Sequence, residues 1–407
     1  MNRAMPKPFT TLLDPDVLRD PHPILAKLRK TSPVVWDPAI EAWIVTRHED
    51  VKAVFADPRF SRDRRLTKFY TPPEPGTWAA RHDENNMYLA APEPHLRWRR
   101  QLSAGFTPRA VRRMEGQVRA VVSQFAEPLR GRRGTVDLVA EFTNPIPNTV
   151  ISRITGIPPY PGDEDRFRRL AQDVIRQFFP MADAENKRRG EQAMNELAEW
   201  IGKLADERRQ EPRDDLLSDL IVGNQGGDAM SNSQIIMQVV VLVAAGSETT
   251  TLGGTHAIRL LLEHPDQLAA LRADSSLVRN AVREVLRFDF GGTVSMPLVA
   301  LEDLDVGGVT IRQSDMVMCS TSSANRDETV FDDPDRFDIT RDTREILTFG
   351  SGPHYCLGAN LALQELDCML QGALAFLPEG ARLVAGELEW ESIGLMRRPV
   401  NLPVDFG

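Results

Sequence analysis

The sequence predicts a mainly α protein with a minor, segregated β region (α+β), carried by one unit spanning 1–407. Three observations point there. Helix-periodic text with charged faces fills about 107–210, and the stretch from Ser233 to Glu263 is apolar enough for one long helix. Alternating β text is concentrated between about 295 and 320. It does not alternate with helices as a doubly wound sheet requires.

Short strands are expected at "PVVW" and "AWIVT", between proline-rich loops such as "TPPEPGTW" and "AAPEPH". Pro145, Pro158 and Pro180 break the helical region that follows. The glycine-rich "GNQGGDAMS" leads into the long helix, where Ser231 or Ser233 can cap. A further helix runs from about Ser275 to Phe288. "SMPLVALEDLDVGGVTIRQSDMVMCS" alternates and turns as a small β region. The meander "SSANRDETVFDDPDRFDITR", a strand-like "EILT", the stretch "FGSGPHYCLG" (349–358) and a last helix from "ANLALQELDCML" complete the order.

Of 407 residues, 42% are hydrophobic and 26% charged, which is ordinary for a soluble enzyme. A formal net charge of -9 argues against a nucleic-acid partner, which needs a basic face. The longest apolar run, Ile235 to Gly246, is short for a bilayer span, and Glu248 follows it. The N-terminus lacks the unbroken apolar core of a signal peptide. Cys319, Cys356 and Cys368 are too few for a disulfide framework and suit reducing conditions. A cytoplasmic chain with no membrane contact is expected.

"FGSGPHYCLG" admits three readings. As a dinucleotide cradle it fails, because Tyr355 stands where a third glycine belongs and too little chain remains for a second nucleotide-binding half. As a helix start with a buried thiol it is unremarked chemistry, since free cysteines are commonly small core residues. As a metal seat it has one thiolate, which is poor for zinc or iron–sulfur but sufficient for haem iron. The amides of Leu357, Gly358 and Ala359 can face the sulfur, and the glycines allow a large flat group to approach.

The stretch resembles the haem-binding signature F-G-x-G-x-H/R-x-C-x-G of the cytochrome P450 family, and other motifs agree in the family's order. "REVLR" supplies the E-x-x-R pair Glu284 and Arg287, and "PDRF" supplies Arg336. The resemblance implies that these three charges lock together and brace the thiolate loop. "AAGSETTT" matches A-G-x-D/E-T-T, whose helix loosens over the haem. There Glu248 and Thr249 relay protons to dioxygen, while Ala245 and Gly246 leave it room. "HLRWR" places His95 and Arg99 at haem propionates, with His354 from the thiolate loop. The resemblance further implies that Phe349, Gly350 and Gly358 contact the haem around Cys356, its axial ligand. His22, His48, His82, His256 and His264 read as packed or surface rings.

Two departures stand out. Leu298 occupies the slot where many bacterial relatives carry a propionate-binding arginine. Gly291 and Gly292 replace a usual proline in a pocket-lining loop, which suggests flexibility or extra room there.

The resemblance implies a haem b monooxygenase that uses O2 and two electrons from a separate ferredoxin and ferredoxin reductase. It would oxidise an apolar terpenoid, steroid, fatty-acyl or polyketide-like molecule, acting as a monomer. Arg97 to Arg113 offer a basic docking patch or, equally, a solvated helix face. A peroxide-driven enzyme and a haem-based gas sensor compete with this reading, and the intact Glu248–Thr249 pair argues against both. Candidate pocket walls are Met87, Tyr88, Leu89, Val240, Val243, Ala244, Thr293, Val294, Ser295, Met296, Ile393 and Leu395. The helical stretch 163–211 is expected to act as a lid.

Overall fold

The central helix, Asn232–Glu263, begins where Ser231 and Gln234 cap each other. The Ser231 hydroxyl accepts the Gln234 amide N–H, and the Gln234 side-chain oxygen accepts the Ser231 N–H. Among the described residues it is the one helix long and apolar enough to cross a membrane, yet 72% of its most apolar window is buried within the protein. Its apolar surface is therefore consumed by packing, as in a core helix. The computed structural model describes residues 10–158, 160, 163–176, 183–224, 229–386, 388–393 and 396–407.

Helices Pro145–Thr155, Glu164–Arg176, Ala184–Gln210 and Ala359–Phe376 pack around this axis. Glycine permits the closest of these approaches. A Cβ on Gly254 would lie 2.4 Å from Met369 Cε, and one on Gly253 would lie 3.1 Å from Leu366 Cδ1. Two poor helix formers in the middle of the helix are thus explained by tertiary fit. The helix runs without a break across Ala245–Thr255, contrary to the loosening expected there. Its hydroxyls bond back to main-chain carbonyls, Thr249 to Ala245 at 2.7 Å and Thr251 to Ser247 at 3.1 Å.

The β structure is segregated, as the sequence predicts, but its main sheet joins distant parts of the chain. Its order is Val34–Asp37, Ala42–Val45, Met316–Cys319, Leu298–Ala300, Phe60–Ser61. Ala42–Val45 runs parallel to Met316–Cys319 and the other pairs are antiparallel. A hairpin of Trp390–Ile393 and Met396–Pro399 lies apart from this sheet. "EILT" forms no strand. The Asn325 side chain instead accepts the Leu347 N–H at 2.7 Å, and Leu347 O accepts the Gly350 N–H at 2.8 Å, giving a turn.

The loop at Gly291 and Gly292 is clamped rather than loose. Gly291 has φ +87, and a Cβ there would lie 2.5 Å from Arg397 O and 2.9 Å from His256 Nε2. Its carbonyl accepts the Arg397 N–H at 2.9 Å. Below it, the buried Asp289 carboxylate binds Arg397 at 2.6 Å and Arg259 at 2.7 Å. Such a doubly paired buried carboxylate fixes the loop to both the central helix and the C-terminal hairpin.

Candidate active site

Cys356 is the exposed cysteine of the three; Cys319 and Cys368 are buried. Left-handed glycines shape its loop, Gly350 at φ +72 and Gly352 at φ +68. Phe349 O accepts the Cys356 N–H at 2.9 Å, which closes the turn. Surrounding protein pushes the thiol up from its ordinary pKa, and the Gly358 N–H, Arg99 and the Ala359 N–H oppose that shift. Gly358 caps the helix Ala359–Phe376, so the amides facing the sulfur belong to the helix start.

The brace behind this loop is buried. Arg287 forks onto Glu284 with bonds of 2.7 and 2.8 Å, and both side chains are 0% exposed. Arg287 also donates to Asn325 O at 3.0 Å and Pro334 O at 2.9 Å, tying the helix Val278–Phe288 to the meander. The third guanidinium is not that of Arg336. Its side chain is 65% exposed and turns outward to Asp338, while only its carbonyl meets Arg287, at 3.3 Å. Arg341 takes the inner place, with Nε 3.3 Å from Glu284 Oε1 and Nη2 on Asp333 O and Arg336 O. The neighbouring acid draws Arg336 to the surface, and a second arginine five residues on fills the gap.

On the central helix, Ala245 is exposed and Val241 and Thr249 are half-buried, as are the adjacent Leu242 and Gly246. Val241, Ala245 and Thr249 form one i, i+4, i+8 strip. Val240 and Val243 are 0% exposed and belong to the main core, so the expected pocket edge lies one position off on the helix wheel. Ala244 is buried beside the strip. Glu248 is buried and ion-paired with Arg398 of the hairpin. Arg398 also binds Glu391, which in turn meets Arg176 of the helix Glu164–Arg176 at 3.3 Å. Burial, then Arg176 and Arg168, pushes Arg398 down to about 10. A four-member ionic ladder therefore connects the expected proton acid to the expected lid.

His95 is buried, with Nδ1 3.0 Å from Met87 O and Nε2 3.1 Å from Pro353 O, so both nitrogens face carbonyls rather than a free space. Its ring lies 3.9 Å from that of His354. Arg99 donates to Tyr355 O at 2.6 Å. His354 is pushed down to about 2, by burial first and then by Arg62, His95 and Arg99, and stays neutral. Leu298 is buried in the sheet core and offers no polar group.

Met87, Tyr88 and Leu89 form one short turn of 3₁₀-helix, with Tyr88 5.8 Å from the His354 ring. Val294 packs into the N-terminal core with Leu12 and Ile40, away from a pocket role. Thr293 O accepts the Ser320 hydroxyl at 2.7 Å and Ser295 binds Cys319, while Met296 is half-buried. Ile393 ends a hairpin strand, and Leu395 lies outside the described residues. Arg341, Arg398 and Arg62 were not singled out from sequence. Only the closeness of "ITR" to "PDRF" could have flagged the first.

These residues fit a haem. The Cys356 thiol is exposed, and Cβ atoms built on Gly350 and Gly358 meet nothing within 4 Å, so a planar group can approach the loop and reach the sulfur.

Comparison with known proteins agrees. The family model "Cytochrome P450" matches residues 19–375. Nocardicin C N-oxygenase of Nocardia uniformis subsp. tsuyamanensis is 36% identical over 402 residues, 97% of each chain. Vitamin D(3) 25-hydroxylase of Pseudonocardia autotrophica is 34% identical over 393 residues, 96% of this chain and 94% of that one. The crystal structure of CalO2 superposes with a TM-score of 0.89 at 32% identity, covering 98% of this chain and 99% of the other. A family model matching most of the chain, and relatives 34–36% identical along nearly its whole length, show that it belongs to the cytochrome P450 family.

Proposed function

We propose that this chain is a single-domain haem b monooxygenase that uses O2 and two externally supplied electrons to oxidise an apolar small molecule. The observation that carries it is the exposed thiol of Cys356 on a loop braced by the buried Glu284–Arg287 pair. When bound, the haem supplies the oxygen-activating redox chemistry. Cys356 would hold its iron as a thiolate, with the Gly358 and Ala359 amides favouring the charged sulfur. Thr249 presents its hydroxyl from the exposed strip, and Glu248 supplies protons from behind it. Arg398 holds Glu248 until the ionic ladder to Arg176 loosens, which couples proton supply to the helical lid at 163–211.

The relatives above are named for an N-oxygenation and a C-hydroxylation, so likeness supports oxygen insertion and leaves a broad apolar substrate class: terpenoid, steroid, fatty-acyl or polyketide-like. The electron donors are a separate acidic ferredoxin and its reductase, in the cytoplasm. Support for docking comes from the groove of about 480 Å³ where Arg112 and Arg283 lie beside the pairs Arg119–Glu115 and Arg279–Asp367, and from the exposed Tyr355 next to Cys356. Arg113 faces Asp219 instead and is not part of that patch. The test is product formation from a ligand first identified by its effect on haem absorbance. Reduced ferredoxin with O2 is expected to support turnover, and turnover by H2O2 alone would favour the peroxide-driven alternative.

A further inference from the structure

Strand Phe60–Ser61 pairs antiparallel with Leu298–Ala300, Phe60 opposite Ala300 and Ser61 opposite Val299. Extending that register by one residue sets Arg62 across from Leu298. The family resemblance calls for a cation at that position, and the chain has a buried leucine there.

Arg62 is half-buried and held in place by uncharged groups. It donates to Tyr88 Oη at 2.7 Å, and its guanidinium lies 5.6 Å from the Phe55 ring centre and 5.0 Å from that of Tyr88. Rings and a hydroxyl fix a cation without neutralising it. Its neighbours Arg59, Arg64 and Arg65 each pair with an aspartate, whereas Arg62 has no carboxylate among the described residues. Arg99 meanwhile anchors to Tyr355 O beside the thiol. A fixed, half-buried guanidinium with no counter-charge calls for an anion that the described protein does not supply.

We propose that Arg62 grips a haem propionate from the neighbouring strand, in place of the cation missing at Leu298. This rests on the haem-thiolate reading. The guanidinium fork matches a carboxylate, and Tyr88 together with the Phe55 ring sets the direction of the fork.

The test uses the haem-loaded protein and its Arg62→Gln variant, with haem transfer to excess apomyoglobin as the readout. One charge-assisted bond to a carboxylate is worth about tenfold or more, so Arg62→Gln is expected to lose haem at least about ten times faster. Arg62→Lys, which keeps the charge, is expected to fall between the two. Protein reconstituted with the dimethyl ester of haem has no propionate charge, and there the wild type and Arg62→Gln are expected to lose cofactor at the same rate. Equal loss of ordinary haem by the two proteins overturns the assignment. So does an equal acceleration with the diester, which marks a structural role. The reduced carbon monoxide spectrum of the same wild-type sample separates the two levels. With thiolate ligation present, a negative result removes Arg62 alone; with it absent, the haem-thiolate reading falls and this proposal with it.

Discussion

Replacing each arginine around Glu284 by methionine should give a graded loss of stability, in an order opposite to that implied by the motif alone. Glu284 receives two bonds from Arg287, one from Arg341 at 3.3 Å and one from the Asp338 N–H at 2.9 Å. Arg287→Met removes the fork and leaves a fully buried carboxylate with one long contact to charge. Breaking a buried pair in this way costs about 3–5 kcal/mol. Arg341→Met leaves the fork intact but removes the second cation and its bonds to Asp333 O and Arg336 O. The loss is then nearer the worth of one or two charge-assisted bonds, about 2–3 kcal/mol. Arg336→Met removes an exposed pair with Asp338, worth about 0–1 kcal/mol. Urea unfolding of the haem-loaded proteins, followed by tryptophan fluorescence and haem absorbance together, reads the order directly. If Arg336→Met matches or exceeds Arg341→Met, the brace described above is wrong.

Three further outcomes follow from the same geometry. Glu365 is buried with no partner for Oε1, and burial pushes it from 4.5 up to about 8. Its folded pKa is raised, so it costs nothing below the unfolded value and weakens the fold as pH rises from about 4.5 to 8. Glu365→Gln should therefore be stabilised relative to wild type by up to about 5 kcal/mol at pH 8 and by little at pH 4.5. Equal effects at both pH values would contradict its burial as an acid. Thr249→Val loses the hydroxyl that now rests on Ala245 O, so more peroxide should be released per reduced ferredoxin consumed, with substrate affinity unchanged. Unaltered coupling would remove Thr249 from the relay. Arg112→Glu and Arg283→Glu should slow ferredoxin-driven reduction most at low ionic strength, and a rate independent of both charge and salt would place docking elsewhere.

What was readable in the sequence follows the range of each signal. Cys356, Gly350 and Gly358 lie within ten residues and Glu284 and Arg287 within one helical turn, so local spacing carries them. The central helix was placed to within a residue because its cap and its apolar run are both local. Residues that act across the fold were missed. Arg62 gains meaning only from a register with Leu298–Ala300, and Arg398 only from the approach of the hairpin to the central helix. The apolar character of Val240 and Val243 cannot separate the core face of a helix from an adjacent open strip. The glycines at 291 and 292 suggest looseness in the sequence, because the pinning of that loop through Asp289 comes from Arg259 and Arg397, residues distant in the chain.

The central claim is that Cys356 ligates haem iron as a thiolate. The absorbance spectrum of the reduced, carbon monoxide-bound protein tests it most directly, compared between wild type and Cys356→His. The account predicts the red-shifted Soret band of thiolate ligation in wild type and its replacement by an imidazole-type band in the variant. An imidazole-type band in freshly purified wild type, or an unchanged spectrum in Cys356→His, would contradict it.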